Sequence, residues 1–266
     1  MVNTVKFDRF FSFGCSFTQH LWPTWADIVA KDLAIPYQNW GKTGAGNVAI
    51  QSRIVECDFQ NKFTDNDLVI VMWTGWNRED RYIKQWLCGG NVFNNWNYDQ
   101  SFLEKYWSLE NDYIRSTTAI HTTWKAYKDV IKYHAAMTLP EDKMEFHPVD
   151  HFGFLKNNSL ELSKKILNQF YQNSVKLNVF DSSKNTYFNN TCADGHPDIM
   201  AHLVFVTDQL YPSLGFEIKK STVDFCQDYF NEAAKILKKT DTYDTVTKKI
   251  IGFNNEIGFE QKFWGI

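Results

Sequence analysis

Residues 67–73 read DLVIVMW, six apolar residues in a row behind one acidic residue. The run is too short for a helix and too continuous for a strand wetted on one face. A strand buried on both faces has this signature, and such strands belong to parallel sheets with helices above and below. Working outward, the preceding residues supply the rest of that architecture. Residues 7–13 read as a first strand. Pro23 and Thr24 open a helix that runs to about Leu33, with Thr24 and Asp27 in capping-box spacing. Residues 35–40 read as a short strand, and residues 41–46 as a glycine-rich turn. Asn47 then begins a helix with Ile50, Ile54 and Cys57 on one face. Strand, helix, strand, helix, strand in this order predicts an α/β fold with a mainly parallel sheet.

Downstream the rhythm breaks. Residues 81–121, rich in Trp, Asn, Tyr and Asp, read as an insertion. The spacing of Trp124, Tyr127, Ile131 and His134 predicts a helix over 122–137, with His134 a core histidine on its apolar stripe. A strand over 144–149, a helix headed by Asn158 and Glu161, and a last strand over 176–180 follow. A helix is predicted from Pro197 to near Pro212, and an amphipathic one over 219–238. The chain thus divides into a main domain, 1–215, and a helical C-terminal extension, 216–266.

Composition narrows the function. A net charge of −3 over 266 residues gives no electrostatic footprint for nucleic acid or an anionic membrane. The longest apolar run, Leu68–Trp73, is far short of the roughly 18 residues that span a bilayer. MVNTVKFDRF lacks the apolar core of a signal peptide, so the chain reads as soluble, with no membrane partner. Cys15, Cys57, Cys88, Cys192 and Cys226 are odd in number and scattered, which points to reduced thiols. His147, His151, His196 and His202 fit no common zinc spacing, so no metal is expected. The sequence assigns no oligomeric state.

Four signals fall just past predicted strand ends, where open parallel sheets bind ligands. Ser16 follows the first strand in FGCSFT, and Gly44 follows the second in NWGKTGAGN. Asn77 follows the third in TGWNRED, and Asp194 and His196 lie in ADGHPD after the last. Together they fit acyl transfer. A serine hydroxyl needs a base to take its proton, and imidazole titrates in the right range. A carboxylate can orient that imidazole, which gives Ser16, His196 and Asp194 as a candidate triad. The oxyanion that forms needs waiting donors, and the Ser16 and Gly44 amides and the Asn77 side chain are candidates. Pro197 suits a first helical turn and would fix the backbone beside His196.

These blocks resemble those of the SGNH hydrolase superfamily, also called GDSL-type esterases, across roughly residues 8–212. In that family a Ser, a Gly, an Asn and a His stand in four separated blocks. Ser16, Gly44, Asn77 and His196 match them in order, with Asp194 beside the last. The resemblance implies a three-layer α/β/α sandwich of flavodoxin-like topology and ester hydrolysis with no metal or organic cofactor. GCSFT with WPTWAD is also similar to versions carried by bacteriophages, which implies a cytoplasmic or phage-associated protein. Three departures stand out. Cys15 replaces the family's usual Asp, Arg78 follows Asn77 where Asp is usual, and one residue instead of two separates Asp194 from His196. The last leaves Asp181 as a second candidate for the orienting carboxylate, and Cys15 is a second, weaker candidate nucleophile.

The substrate reading is a small-molecule or glycan ester, with an acetylated carbohydrate preferred. Trp22, Trp76, Trp86 and Trp96 suit either a sugar-binding groove or the core. Arg78 or Arg81 suits either substrate contact or local ion pairing. Two other functions use the same features: a glycan-binding or virion-type structural module that has lost activity, and a lipid esterase.

Overall fold

The computed structural model describes residues 7–76, 78–83, 85–91, 101, 105, 109–136, 175–178 and 196–260. The central sheet holds β1 (Arg9–Phe13), β2 (Tyr37–Asn39), β3 (Asp67–Trp73), β6 (Ile131–Ala136) and β7 (Val175–Asn178), all paired parallel. Their order across the sheet is β2-β1-β3-β6-β7. Chain order therefore reverses between β1 and β3, as in a flavodoxin-like sheet, and that switch point opens a crevice at the carboxyl ends. A separate antiparallel hairpin, β4 (Arg78–Ile83) and β5 (Gln85–Asn91), follows β3.

Side-chain alternation along β3 divides the core in two. Leu68, Ile70 and Met72 pack with Phe10, Trp25, Ile28 and Val29, beneath helix α1 (Trp25–Leu33). Val69, Val71 and Trp73 face the other way, with Phe11, Phe13, Ile50 and Ile54, against α2 (Asn47–Asn61) and α3 (Leu109–Ala126). Every residue of β3 is buried, as its continuous apolar run requires. The result is a three-layer α/β/α sandwich.

The α1 layer is completed from the C-terminal part of the chain. Helix α4 (Ile199–Phe205) continues through a π-helical stretch, Val206–Leu210, into a last turn, α5 (Tyr211–Leu214). Helices α6 (Lys220–Ile236) and α7 (Tyr243–Glu256) follow. Cys226, Tyr229, Ala233, Val246 and Ile250 join the same hydrophobic cluster as Phe10 and Trp25. Residues 220–256 thus share the core of the main sheet. Asp32 of α1 ties them in, accepting from the Tyr211 hydroxyl at 2.9 Å and the Lys219 amide at 2.9 Å.

The capping box at Thr24 and Asp27 is present as expected. The helix expected over 122–137 is not. The helix spans Leu109–Ala126, and Ile131 and His134 belong to β6. The helical stripe was a coincidence of spacing between the end of a helix and the strand after it. The helical stretch expected to stop near Pro212 ends at Leu214, two residues past it. The expected elements over 144–149 and 158–170 lie outside the described residues.

Candidate active site

The first block turns sharply off β1. The Thr18 and Gln19 amides both donate to the Cys15 carbonyl, at 2.9 and 3.1 Å, closing one helical turn with Ser16 at its head. The bonds of this turn begin at Thr18, so the turn does not consume the Ser16 N–H. Gly14 permits the bend, since a Cβ there would lie 2.1 Å from Thr18 Oγ1. Cys15 is fully buried in the α2-side core, so its thiol behaves as a small apolar group.

The Thr18 carbonyl fixes the turn from two sides. It accepts from Thr24 Oγ1 at 2.8 Å and from Asn39 Nδ2 at 2.9 Å. Asn39 Oδ1 meanwhile accepts from the Gly41 amide at 2.9 Å. One side chain at the end of β2 thereby locks the first block to the second. The Lys42 amide donates to the Gly14 carbonyl at 3.0 Å, and Thr43 Oγ1 to the Gln19 carbonyl at 3.0 Å. Gly44 has φ +80°, and a Cβ there would stand 2.6 Å from the Cys88 carbonyl oxygen. Only glycine fits so close beneath the hairpin in that backbone state. The Gly90 amide completes the cover by donating to the Gly44 carbonyl at 3.0 Å.

The third block is stitched to the second by Asn47. Its amide donates to the Thr74 carbonyl and accepts from the Thr74 amide, each at 2.9 Å. The hairpin is anchored by Asp80, whose carboxylate accepts from the Gly46 amide at 2.8 Å and the Ala49 amide at 3.0 Å. Those are the N-cap and first-turn amides at the start of α2, where a negative charge is favoured. Burial nevertheless pushes the Asp80 carboxyl up to about 6, against the pull of the two amides and of Arg78 and Arg115. Arg78 also donates to the Ala45 carbonyl at 3.2 Å, so it binds the hairpin to this loop. Arg81 pairs with Glu79 at 2.8 Å.

The last block reaches the first directly. His196 Nε2 lies 2.8 Å from Ser16 Oγ, across 180 residues of sequence. The imidazole is flanked by two rings. His20 stacks on it with ring centroids 4.1 Å apart and planes 27° apart, and Phe17 meets it edge-on at 5.7 Å. Behind it, Trp22 Nε1 donates to the Pro197 carbonyl at 2.7 Å, and the Trp22 ring stands edge-on to His20 at 4.3 Å. Asp198 caps α4 by accepting from the Met200 and Ala201 amides. The strand-end loop carrying His196 is thus pinned by both a cap and an indole.

Of the expected site residues, the fold brings Ser16 and His196 into contact and ties the Gly44 loop to the Ser16 turn. Asn77, Asp194 and Asp181 lie outside the described residues, as do Trp96 and the Trp86 side chain. Trp22 is fully buried and supports the His196 loop, so of the two readings left open for it the structure shows the core one and not the sugar groove. Trp76 is half-buried, with Tyr113 5.7 Å away edge-on. His20, Asn39, Asn47 and Asp80 were not assigned from sequence. His20 alone carried a usable signal: it stands four residues past Ser16, so one helical turn puts both on one side.

No family model matches the chain, and no curated protein matches it. Solved structures similar in chain path include Axe2, an acetylxylan esterase from Geobacillus stearothermophilus, at 14% identity and TM-score 0.43, over 81% of this chain and 98% of that one. A catalytic mutant of the same enzyme gives 17% and 0.46 over the same shares. LAE5, an alpha/beta hydrolase enzyme from the metagenome of Lake Arreo in Spain, gives 12% and 0.46, over 79% of this chain and 96% of that one. Among the described residues, no helix is long and apolar enough to cross a membrane.

Proposed function

We propose that the protein is a serine ester hydrolase acting on acylated carbohydrate. The observation that carries this reading is the 2.8 Å contact between Ser16 Oγ and His196 Nε2 at the switch point of the sheet. For proton transfer across that contact, the imidazole holds its own proton on Nδ1 and accepts on Nε2. Asp194 is the proposed acceptor for Nδ1–H. As Ser16 Oγ bonds to the ester carbonyl carbon, its proton passes to His196. The carbonyl π pair moves to oxygen, which the Ser16 and Gly44 amides and the Asn77 side chain receive. Collapse of the tetrahedral adduct breaks the bond to the alcohol, and His196 gives that oxygen the proton. Water then repeats the sequence on the acyl-serine, returning Ser16 and releasing the acid.

Hydrolysis of an aryl acetate tests this reading. Wild-type turnover is expected, with Ser16→Ala and His196→Ala each lowering kcat at least about 10³-fold. Equal turnover by Ser16→Ala removes the mechanism. Glycan binding without turnover would instead mark an inactive binding module.

A further inference from the structure

Beside the Ser16–His196 pair lies a cleft, one side of which is built by α7, outside the four sequence blocks. This cleft of about 440 Å³ lies between the loop after Ser16 and helix α7. Gln19, His20 and Thr43 form one side. His20 is the residue stacked on His196, and Thr43 directly precedes Gly44, so this side is continuous with the reacting groups. Tyr243, Asn255 and Phe259 stand on the other side. Tyr243 is 45% exposed, leaving much of the side chain open to solvent.

The two sides are held in register before any ligand arrives. Asn254 of α7 donates from Nδ2 to the Leu21 carbonyl at 2.8 Å, and its Oδ1 accepts from the Tyr229 hydroxyl of α6 at 2.8 Å. The Thr242 hydroxyl accepts from the Thr245 amide and caps the helix at the residue before Tyr243. The lining is also selective in character. Among the described residues it contains no lysine or arginine, and its one carboxylate is Glu260. Aromatic rings beside amide and hydroxyl groups suit a neutral polyhydroxyl ring, whose C–H face packs on an aromatic while its hydroxyls take hydrogen bonds. An anionic headgroup or phosphate would find no lysine or arginine among the described residues of this lining.

We propose that this cleft binds an uncharged sugar unit of the alcohol part of the ester, with α7 as a substrate-binding element. The proposal rests on the hydrolase reading above. It is tested by comparing an aryl acetate with O-acetylated xylo-, gluco- and manno-oligosaccharides. Tyr243→Ala is expected to lower kcat/KM for the preferred oligosaccharide about tenfold more than for the aryl acetate, mainly through KM. Tyr243→Phe, which keeps the ring, is expected to restore most of that ratio. Phe59→Ala, on the exposed face of α2, serves as a control expected to leave the ratio unchanged. Equal loss on both substrate types, no loss on either, or wild-type turnover of the aryl acetate without any of the oligosaccharides overturns the cleft assignment and leaves the hydrolase reading standing. Wild-type protein inactive on every ester would instead sink the hydrolase reading itself.

Discussion

At the scale of single residues, the site depends on supports more than on reacting groups. Ser16 and His196 meet because Thr18 is clamped by Thr24 and Asn39, and because Trp22 holds the Pro197 carbonyl. Each such bond contributes about 1 kcal/mol net, but leaving a buried carbonyl unpaired costs about 1–3 kcal/mol. Trp22→Phe keeps an aromatic ring beside His20 while removing the donor and part of the buried indole volume. Its expected result is a loss of about 1–3 kcal/mol in urea unfolding, with kcat reduced and KM nearly unchanged on an aryl acetate. A change in KM alone would mean that Trp22 does not position His196. These supports were hard to see in sequence. Trp22 and Pro197 are 175 positions apart, and nothing local marks an indole as the partner of one distant carbonyl.

At the scale of elements, the β4–β5 hairpin is fixed over Gly44 by a carboxylate that burial disfavours. The Asp80 carboxyl is raised from its ordinary value to about 6. The folded state therefore binds a proton more readily than the unfolded chain between about pH 4 and pH 6. Stability contributed at this position is greatest below that window and falls as pH rises through it, by up to about 3 kcal/mol. Asp80→Asn is expected to remove this component, so the wild-type minus variant difference in unfolding free energy should decline from pH 4 to pH 6. A flat difference would mean that the Asp80 carboxyl titrates in the fold as it does in the unfolded chain. Legibility differed among elements for physical reasons. β3 was readable because its run of apolar residues is buried on both faces. Helix α3 was not, because Asp112, Ser116, Thr117 and Thr123 are buried within it, so a polar face turns inward and hides the period. Ser116 accepts there from Asn47 at 2.6 Å, a tertiary contact that local spacing does not show.

At the scale of the whole molecule, two interior histidines make the fold sensitive to acid. Burial pushes His134 down to about 4, and Trp73 Nε1 donates to its Nδ1 at 3.1 Å. Burial, followed by the neighbouring His20 and His196, pushes His202 down to about 3. Both are held neutral in the fold and bind protons near pH 6.5 once unfolded. Their contribution is intact above pH 6.5 and is lost as pH falls toward 4, by about 3 kcal/mol for His134. His134→Gln keeps an acceptor for Trp73 and should flatten the decline in stability between pH 6.5 and pH 4. An unchanged slope would contradict the assignment of His134. The sandwich and its parallel sheet were legible from the doubly buried strand, and the meeting of Ser16 and His196 from their strand-end placement. The integration of α6 and α7 was less so, because Tyr229 and Asn254 act on the Leu21 loop more than 200 residues away in sequence and their spacing reveals only an amphipathic helix.

The central claim is that Ser16 is a nucleophile activated by His196. Mass spectrometry of the protein after treatment with a fluorophosphonate probe tests it most directly. The expected result is one adduct on the peptide carrying Ser16, lost in His196→Ala. An adduct elsewhere, no adduct on the wild type, or labelling of Ser16 undiminished in His196→Ala would contradict it.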